Sequence, residues 1–213
     1  MDEMRKMDAG LLDEARESPP TTTSSEPSEP RRTKGVGVPG PRRENTFETF
    51  DLERAPAMRE AYERCLAVAE GRAWCAFLWS AVPGNGKTHL AIAALDRWYA
   101  LNAGGGIFWK VPDFLAFLRE TMSESIARFE NERLVEEIIK GYAGQRFLLV
   151  LDDLGVHKAT ERADEWLYRI LDGRYEAGLP TIITSNAPVD DIDARIWSRY
   201  REGKVVCEGS DQR

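Results

Sequence analysis

AVPGNGKTHLA, residues 81–91, stands between an apolar run, CAFLWSA (75–81), and a stretch that reads as a helix, GKTHLAIAALDRWYALN (86–102). At every fixed position but the first it follows the pattern G-x-x-x-x-G-K-[ST], in which glycines let backbone N–H groups converge on phosphate oxygens. In that pattern Lys87 brings positive charge to the β- and γ-phosphates, and the Thr88 hydroxyl ligates Mg²⁺. The helix beginning near Gly86 adds the positive end of its dipole. The expected nucleotide-binding residues are therefore Pro83, Gly84, Asn85, Gly86, Lys87, Thr88 and His89. Ala81 departs from the pattern, standing where its first glycine belongs. Alanine is tolerable there if φ is negative.

Outward from this loop, strands and helices alternate. APAMREAYERCLAVAEG (55–71) reads as a helix closed by Gly71, and GIFWKV (106–111) as a strand. PDFLAFLRETM (112–122) reads as a helix with proline in its first turn, and SESIARFENERLVEEIIKGY (123–142) as a charged helix. RFLLVLDDLG (146–155) is a strand, followed by the helix ERADEWLYRILDGRYEAG (161–178) and the strand PTIITSN (180–186). VDDIDARIWSRYREG (189–203) reads as a last helix and KVVCEG (204–209) as a last short strand. The alternation predicts an α/β fold, a three-layer sandwich around a central parallel sheet. Ligands in such sheets bind beyond the carboxyl ends of the strands.

The strand FLLVLDDLG (147–155) ends in two acids. In phosphate-loop NTPases an aspartate at a strand end holds the Mg²⁺ shell, which suits Asp152; Asp153 would then polarise the attacking water as general base. Aspartate is one methylene shorter than the glutamate many such ATPases carry, so hydrolysis is slower or the loop compensates. The other reading is a pair of acids capping an exposed turn. Asn186 is either a turn residue or a donor to the γ-phosphate or attacking water. Arg195 and Arg199 lie one helical turn apart, either as a solvated face or as arginines offered to transition-state charge in a neighbouring subunit.

The 213 residues carry a formal net charge of −7, so no global positive field draws the chain onto nucleic acid. No apolar run approaches the roughly 20 residues that span a bilayer. MDEMRKMDAG (1–10) lacks the apolar core of a secretory signal, which predicts a cytoplasmic protein. Cys65, Cys75 and Cys207 lack metal-ligand spacing and are expected to be buried thiols. Residues 1–45, rich in Pro, Ser, Thr and charge with a basic cluster at Arg31, Arg32, Lys34, Arg42 and Arg43, predict a disordered arm. Residues 46–213 predict one ATPase domain. In 122–140, Arg128, Phe129, Arg133 and Lys140 are residue types that suit single-stranded DNA, but Glu124, Glu130, Glu132, Glu136 and Glu137 crowd them. An amphipathic packing helix is expected there.

With the two acids, the asparagine and the arginine helix in that order, the sequence resembles the AAA+ ATPases of the DnaC/DnaI helicase-loader and IstB transposition-helper group. The matching stretches are TFETFDL (46–52), PGNGKTHLAIAAL (83–95), KVPDFLAFLRETM (110–122), residues 149–186, ARIWSRY (194–200) and GSDQR (209–213). The double aspartate looks more like the DnaI side than the DnaC side. The resemblance implies that Gly84, Gly86, Lys87 and Thr88 form the Walker A loop and that Asp152 and Asp153 form Walker B. It implies that Asn186 is sensor 1 and that Arg199 is the arginine finger reaching the next subunit's ATP. Arg213 matches the arginine of the family's closing S-Y-R motif, here S-D-Q-R; Phe47 and Phe50 either fall where the ATPase core begins near the adenine or are core-packing aromatics. The function implied is ATP binding and hydrolysis with Mg²⁺ in DNA replication, loading the replicative DNA helicase. Single-stranded DNA binding and an ATP-dependent homo-oligomer go with it, and no membrane. Two alternatives stay open: an IstB-like transposition helper with a transposase partner, and a nucleotide-gated adaptor with little turnover, which Ala81 and Asp153 favour.

Overall fold

Cys75, Ala76, Phe77 and Leu78 are all fully buried, and successive side chains enter different cores, as expected of a strand covered on both faces. They form β1 (Cys75–Trp79). The computed structural model describes residues 44–102, 105–121, 133, 135–140, 146–155 and 161–208, with the side chains of 117–121 and 161–163 excepted. The expected arm (1–45) therefore falls almost wholly outside the described residues, as do Arg213, Arg128, Phe129 and the basic cluster at 31–43.

The elements follow in the expected alternation: α1 (Arg59–Ala69), β1, α2 (Lys87–Leu101), β2 (Gly106–Lys110) and α3 (Val111–Thr121). Then come helical residues 135–140 (α4), β3 (Leu148–Leu154), α5 (Glu161–Glu176), β4 (Thr181–Ser185), α6 (Ala194–Arg199) and β5 (Lys204–Val206). Among the described residues all pairings are parallel, in the order β2-β3-β4-β1-β5. One core packs Phe77, Trp109, Leu149, Leu151 and Ile183 under α3, α4, α5 and α6. The other packs Ala76, Leu78, Phe108, Val150 and Ile182 under α1 and α2. The chain is thus a three-layer α/β sandwich on a parallel sheet.

Two features position the site. β4 is inserted between β1 and β3, so the glycine-rich loop after β1, Asn186 and the acid pair leave three adjacent strand ends. The pairing of β3 with β4 also slips: Leu151 faces Ile183, but Leu154 rather than Asp153 faces Ser185. The extra residue makes a bulge at the two acids, and bulges re-aim side chains.

The expected single helix over 189–203 is instead three pieces. A 3-10 turn (Val189–Asp191) ends where Ile192 becomes extended, α6 starts afresh, and a second 3-10 turn covers Arg201–Gly203. Asp193 causes the restart, because its carboxylate accepts the Arg195 N–H and caps the new helix. Over 133–140 the expected amphipathic helix is present among the described residues. Val135 and Ile138 are buried, while Arg133 and Lys140 pair with Glu137 and Glu136 on the exposed side.

Candidate functional site

The loop between β1 and α2 turns through two left-handed glycines, Gly84 (φ +80°) and Gly86 (φ +97°), the second being the N-cap position of α2. Among the described residues Asp153 is the sole non-glycine with positive φ, so Ala81 meets the condition under which alanine replaces the pattern's first glycine. A Cβ on Gly86 would lie 2.7 Å from Phe50 Cε2, so the aromatic ring is seated directly on the loop. Phe50 also meets His89 edge-on, with ring centroids 5.1 Å apart, and lies 6.2 Å from Tyr62, which in turn holds Phe47. His89 Nε2 donates to the Thr46 carbonyl at 2.9 Å, a bond that requires the proton on Nε2. Within the described structure His89 thereby ties residues 46–50 to the first turn of α2.

Lys87 is buried at 5 % exposure. Its Nζ donates to Asn85 Oδ1 at 2.9 Å and to the Val82 carbonyl at 3.4 Å. Burial pulls its pKa below the ordinary lysine value, opposed by the Cys207 thiol and the Asp153 and Asp152 carboxylates. The Asn85 amide nitrogen donates to the Cys207 carbonyl at 3.0 Å, fastening the loop to the chain just beyond β5. Asn186 Nδ2 donates to the carbonyls of Ser80 (2.7 Å) and Val82 (3.1 Å), so it braces the root of the loop.

Asp152 is 1 % exposed, and Thr88 Oγ1 (2.9 Å) and Thr184 Oγ1 (2.6 Å) both donate to its Oδ1. Burial raises its pKa above the usual carboxylate value; the Asp153 charge adds to this, and the two threonine hydroxyls oppose it. Thr184 also accepts the Asp153 N–H at 3.1 Å, filling the bulge. Asp153 itself sits at φ +62°, a left-handed conformation that aspartate tolerates better than most side chains. A hydroxyl and a buried carboxylate in contact form a hard-oxygen pair of the kind Mg²⁺ takes from proteins, the rest of its shell coming from phosphates and water. The residues present therefore fit the ion.

Arg199 lies on α6, its Nε in ionic contact with Asp172 of α5. Arg195, one turn earlier, is clamped by Asp193 through Nε and Nη2 and stacks 3.8 Å over the Tyr168 ring. The sequence expectations thus converge on the β1, β4 and β3 ends for Lys87, Thr88, Asp152, Asp153 and Asn186. Three participants lie outside those expectations: Thr184, the Cys207 carbonyl and Asp172. Only Thr184 had a local signal, lying two residues before Asn186 in PTIITSN.

The sequence model of the IstB-like ATP binding protein family matches residues 44–198. The replicative helicase loader DnaC of Escherichia coli (strain K12) is 26% identical over 134 residues, covering 61% of this chain and 51% of that protein. The chromosomal replication initiator protein DnaA of Thermus thermophilus is 28% identical over 167 residues, 76% of this chain and 36% of that protein. The chain thus spans about half or less of the length of these curated relatives. A crystal structure of the DnaC helicase loader superposes with a TM-score of 0.61 at 22% identity, over 76% of this chain and 95% of that one. AMPPCP-bound DnaA from Aquifex aeolicus gives 0.64 at 24% identity, over 78% and 50%. At these identities the two structures speak for a shared fold.

Proposed function

This chain belongs to the IstB-like ATP binding protein family, and from that premise we propose that it is a DNA-replication ATPase of the AAA+ type that loads the replicative helicase. The observation that carries the reading is the convergence of Lys87, Thr88, Asp152, Asp153 and Asn186 on three neighbouring strand ends, bridged by the Thr88–Asp152–Thr184 hydrogen bonds. Helicase loading is proposed from the likeness to a replicative helicase loader.

In this reading the backbone N–H groups of 84–88 and the Lys87 ammonium hold the β- and γ-phosphates of ATP. Thr88 and Asp152 hold the Mg²⁺, which supplies positive charge to the phosphate oxygens. Asp153 accepts the proton of the attacking water. Asn186, at the end of β4, donates to the γ-phosphate or to the attacking water. Arg199 acts on ATP held by the next subunit. Such fingers are worth about 10³–10⁵ in rate, so an isolated subunit is nearly inert and turnover follows assembly on single-stranded DNA. ATP favours the assembled state and hydrolysis releases it.

The test is ATP turnover of the full chain against protein concentration, with and without single-stranded DNA and a replicative helicase. Turnover that rises more steeply than concentration and vanishes in Lys87→Ala supports the reading; equal turnover in wild type and variant removes it. The family match favours a second reading, an IstB-like transposition helper with the same chemistry and a transposase as partner. ATP-dependent co-purification of transposase rather than helicase selects it.

A further inference from the structure

Of the two arginines on α6, one has its guanidinium fork engaged and one does not. Arg195 places Nε and Nη2 on the Asp193 carboxylate. Among the described residues the ionic contact of Arg199 is through Nε, with Asp172 Oδ1. Both atoms of that contact are shielded from solvent, and neither has a hydrogen-bond partner among the described residues. The Arg199 terminal nitrogens Nη1 and Nη2 make no hydrogen bond among the described residues, and the side chain is 30 % exposed. The guanidinium carbon lies 5.4 Å from the Tyr168 ring centre and 5.7 Å from that of Tyr175. Tyr168, Asp172 and Tyr175 stand at i, i+4 and i+7 of α5, one face of a rigid helix.

We propose that Tyr168 and Asp172, with Tyr175 beside them, form a clasp that anchors Arg199 at Nε and presents its two terminal nitrogens, already oriented, to the triphosphate bound by a second copy of this chain. The inference rests on the reading of Arg199 as the arginine offered in trans and adds the positioning residues to it. Chemically, a guanidinium binds phosphate oxygens through two parallel N–H bonds, and its planar fork fixes their direction. Holding Nε against a helix carboxylate beside two rings restricts a long side chain before the neighbour arrives. The same carboxylate leaves the phosphate-facing edge of the fork free. Arg195 lacks that freedom, being clamped by Asp193 and stacked on the Tyr168 ring.

The experiment uses two inactive full-length variants mixed in equal amounts with ATP and single-stranded DNA. Arg199→Ala keeps its nucleotide loop but has no arginine to offer, and Lys87→Ala offers an arginine but binds no ATP. Turnover is expected only in the mixture, at interfaces where the Lys87→Ala subunit serves the Arg199→Ala subunit. Adding Asp172→Asn to the Lys87→Ala subunit is expected to cut the restored turnover at least tenfold, with the ATP KM of the mixture unchanged. Adding Tyr168→Leu is expected to cut it severalfold, while Tyr168→Phe, which keeps the ring, restores it. A merely structural role for Asp172 predicts a lower melting temperature with undiminished restoration. Full restoration by folded Lys87→Ala/Asp172→Asn overturns the clasp and leaves the trans arginine standing. If Asp172→Asn fails to fold, the Tyr168 pair decides, equal restoration by Phe and Leu overturning the clasp. If Lys87→Ala alone restores nothing while wild type turns over, the trans reading fails and the clasp with it.

Discussion

The Lys87 ammonium rests on the side-chain carbonyl of Asn85, two residues before it, at 2.9 Å, while the same amide donates its nitrogen to the Cys207 carbonyl at 3.0 Å. A buried side chain of 1 % exposure thus holds the Lys87 cation at one end and the chain beyond β5 at the other. Truncating it removes a bond from the buried Lys87 ammonium, which keeps only the longer one to the Val82 carbonyl, and from the Cys207 carbonyl, which costs about 1–3 kcal/mol. Asn85→Ala is therefore expected to lose that much stability in urea without ligand. With a non-hydrolysable ATP analogue the loss is expected to shrink, because phosphate oxygens take over the lysine. An unchanged loss with ligand present refutes the exchange of partners.

Asp152 gives a pH prediction. Burial foremost, with Asp153 beside it, holds its folded-state pKa above the unfolded value. A carboxyl raised in this way contributes stability below its unfolded pKa and loses that contribution as pH rises through the folded pKa. At neutral pH the ionised group is therefore a burden on the unliganded fold. Asp152→Asn, whose amide oxygen can still accept both threonine hydroxyls, is expected to unfold at equal or higher temperature than wild type near neutrality. The gap is expected to close in acid. Metal binding needs the ionised form, so Mg²⁺-dependent ATP binding is expected to fade on acidification at a higher pH than an ordinary exposed aspartate would dictate. Calorimetric titrations across the acid range measure it.

The sheet and the glycine-rich loop between β1 and α2 were legible because both rest on local pattern: apolar runs of strand length, glycines at the turn, and lysine and threonine opening a helix. What escaped was set by contacts between distant segments. The bulge at Asp152 and Asp153 depends on the register with β4, and Thr184 completes it from 32 positions away. Arg174 looks in the sequence like a basic residue closing a surface helix, yet it is fully buried. Its guanidinium donates to Thr181 Oγ1 and to the carbonyls of Ile138, Phe147 and Pro180, and burial pulls its pKa down to about 10. Three of those four acceptors are backbone oxygens, which any sequence supplies, so residue identity carries no signal. The restart at Asp193 is different: aspartate before ARIWSRY is a capping signal that the longer helical reading overrides.

Phe50 and Gly86 supply a paired test. Alanine at Gly86 meets a φ of +97° and a ring atom 2.7 Å from its Cβ. The backbone part of that strain is about 1–3 kcal/mol. Gly86→Ala is expected to be destabilised by at least that amount, and Phe50→Ala/Gly86→Ala by less than the sum of the two single variants. Additive losses in a urea-denaturation cycle mean that the ring gives way freely and does not brace the loop.

Asp153 stands at φ +62° with its N–H bonded to Thr184, in a conformation where a short polar side chain is tolerated and a longer one is strained. This gives a physical reason for an aspartate at this position. The bulge fixes the backbone in the left-handed region, and the residue there must accept it. Asp153→Glu is accordingly expected to lose about 1 kcal/mol of stability without a gain in turnover, since the added methylene moves the carboxylate within a backbone that stays put. Asp153→Asn keeps the size and the left-handed tolerance but cannot accept a proton, so it is expected to fold as well as wild type and to lose ATP turnover by about 10²-fold or more. Melting temperatures and single-turnover rates of the two variants separate conformational from chemical demand. A stable and faster Asp153→Glu variant means that the bulge does not dictate the choice of acid.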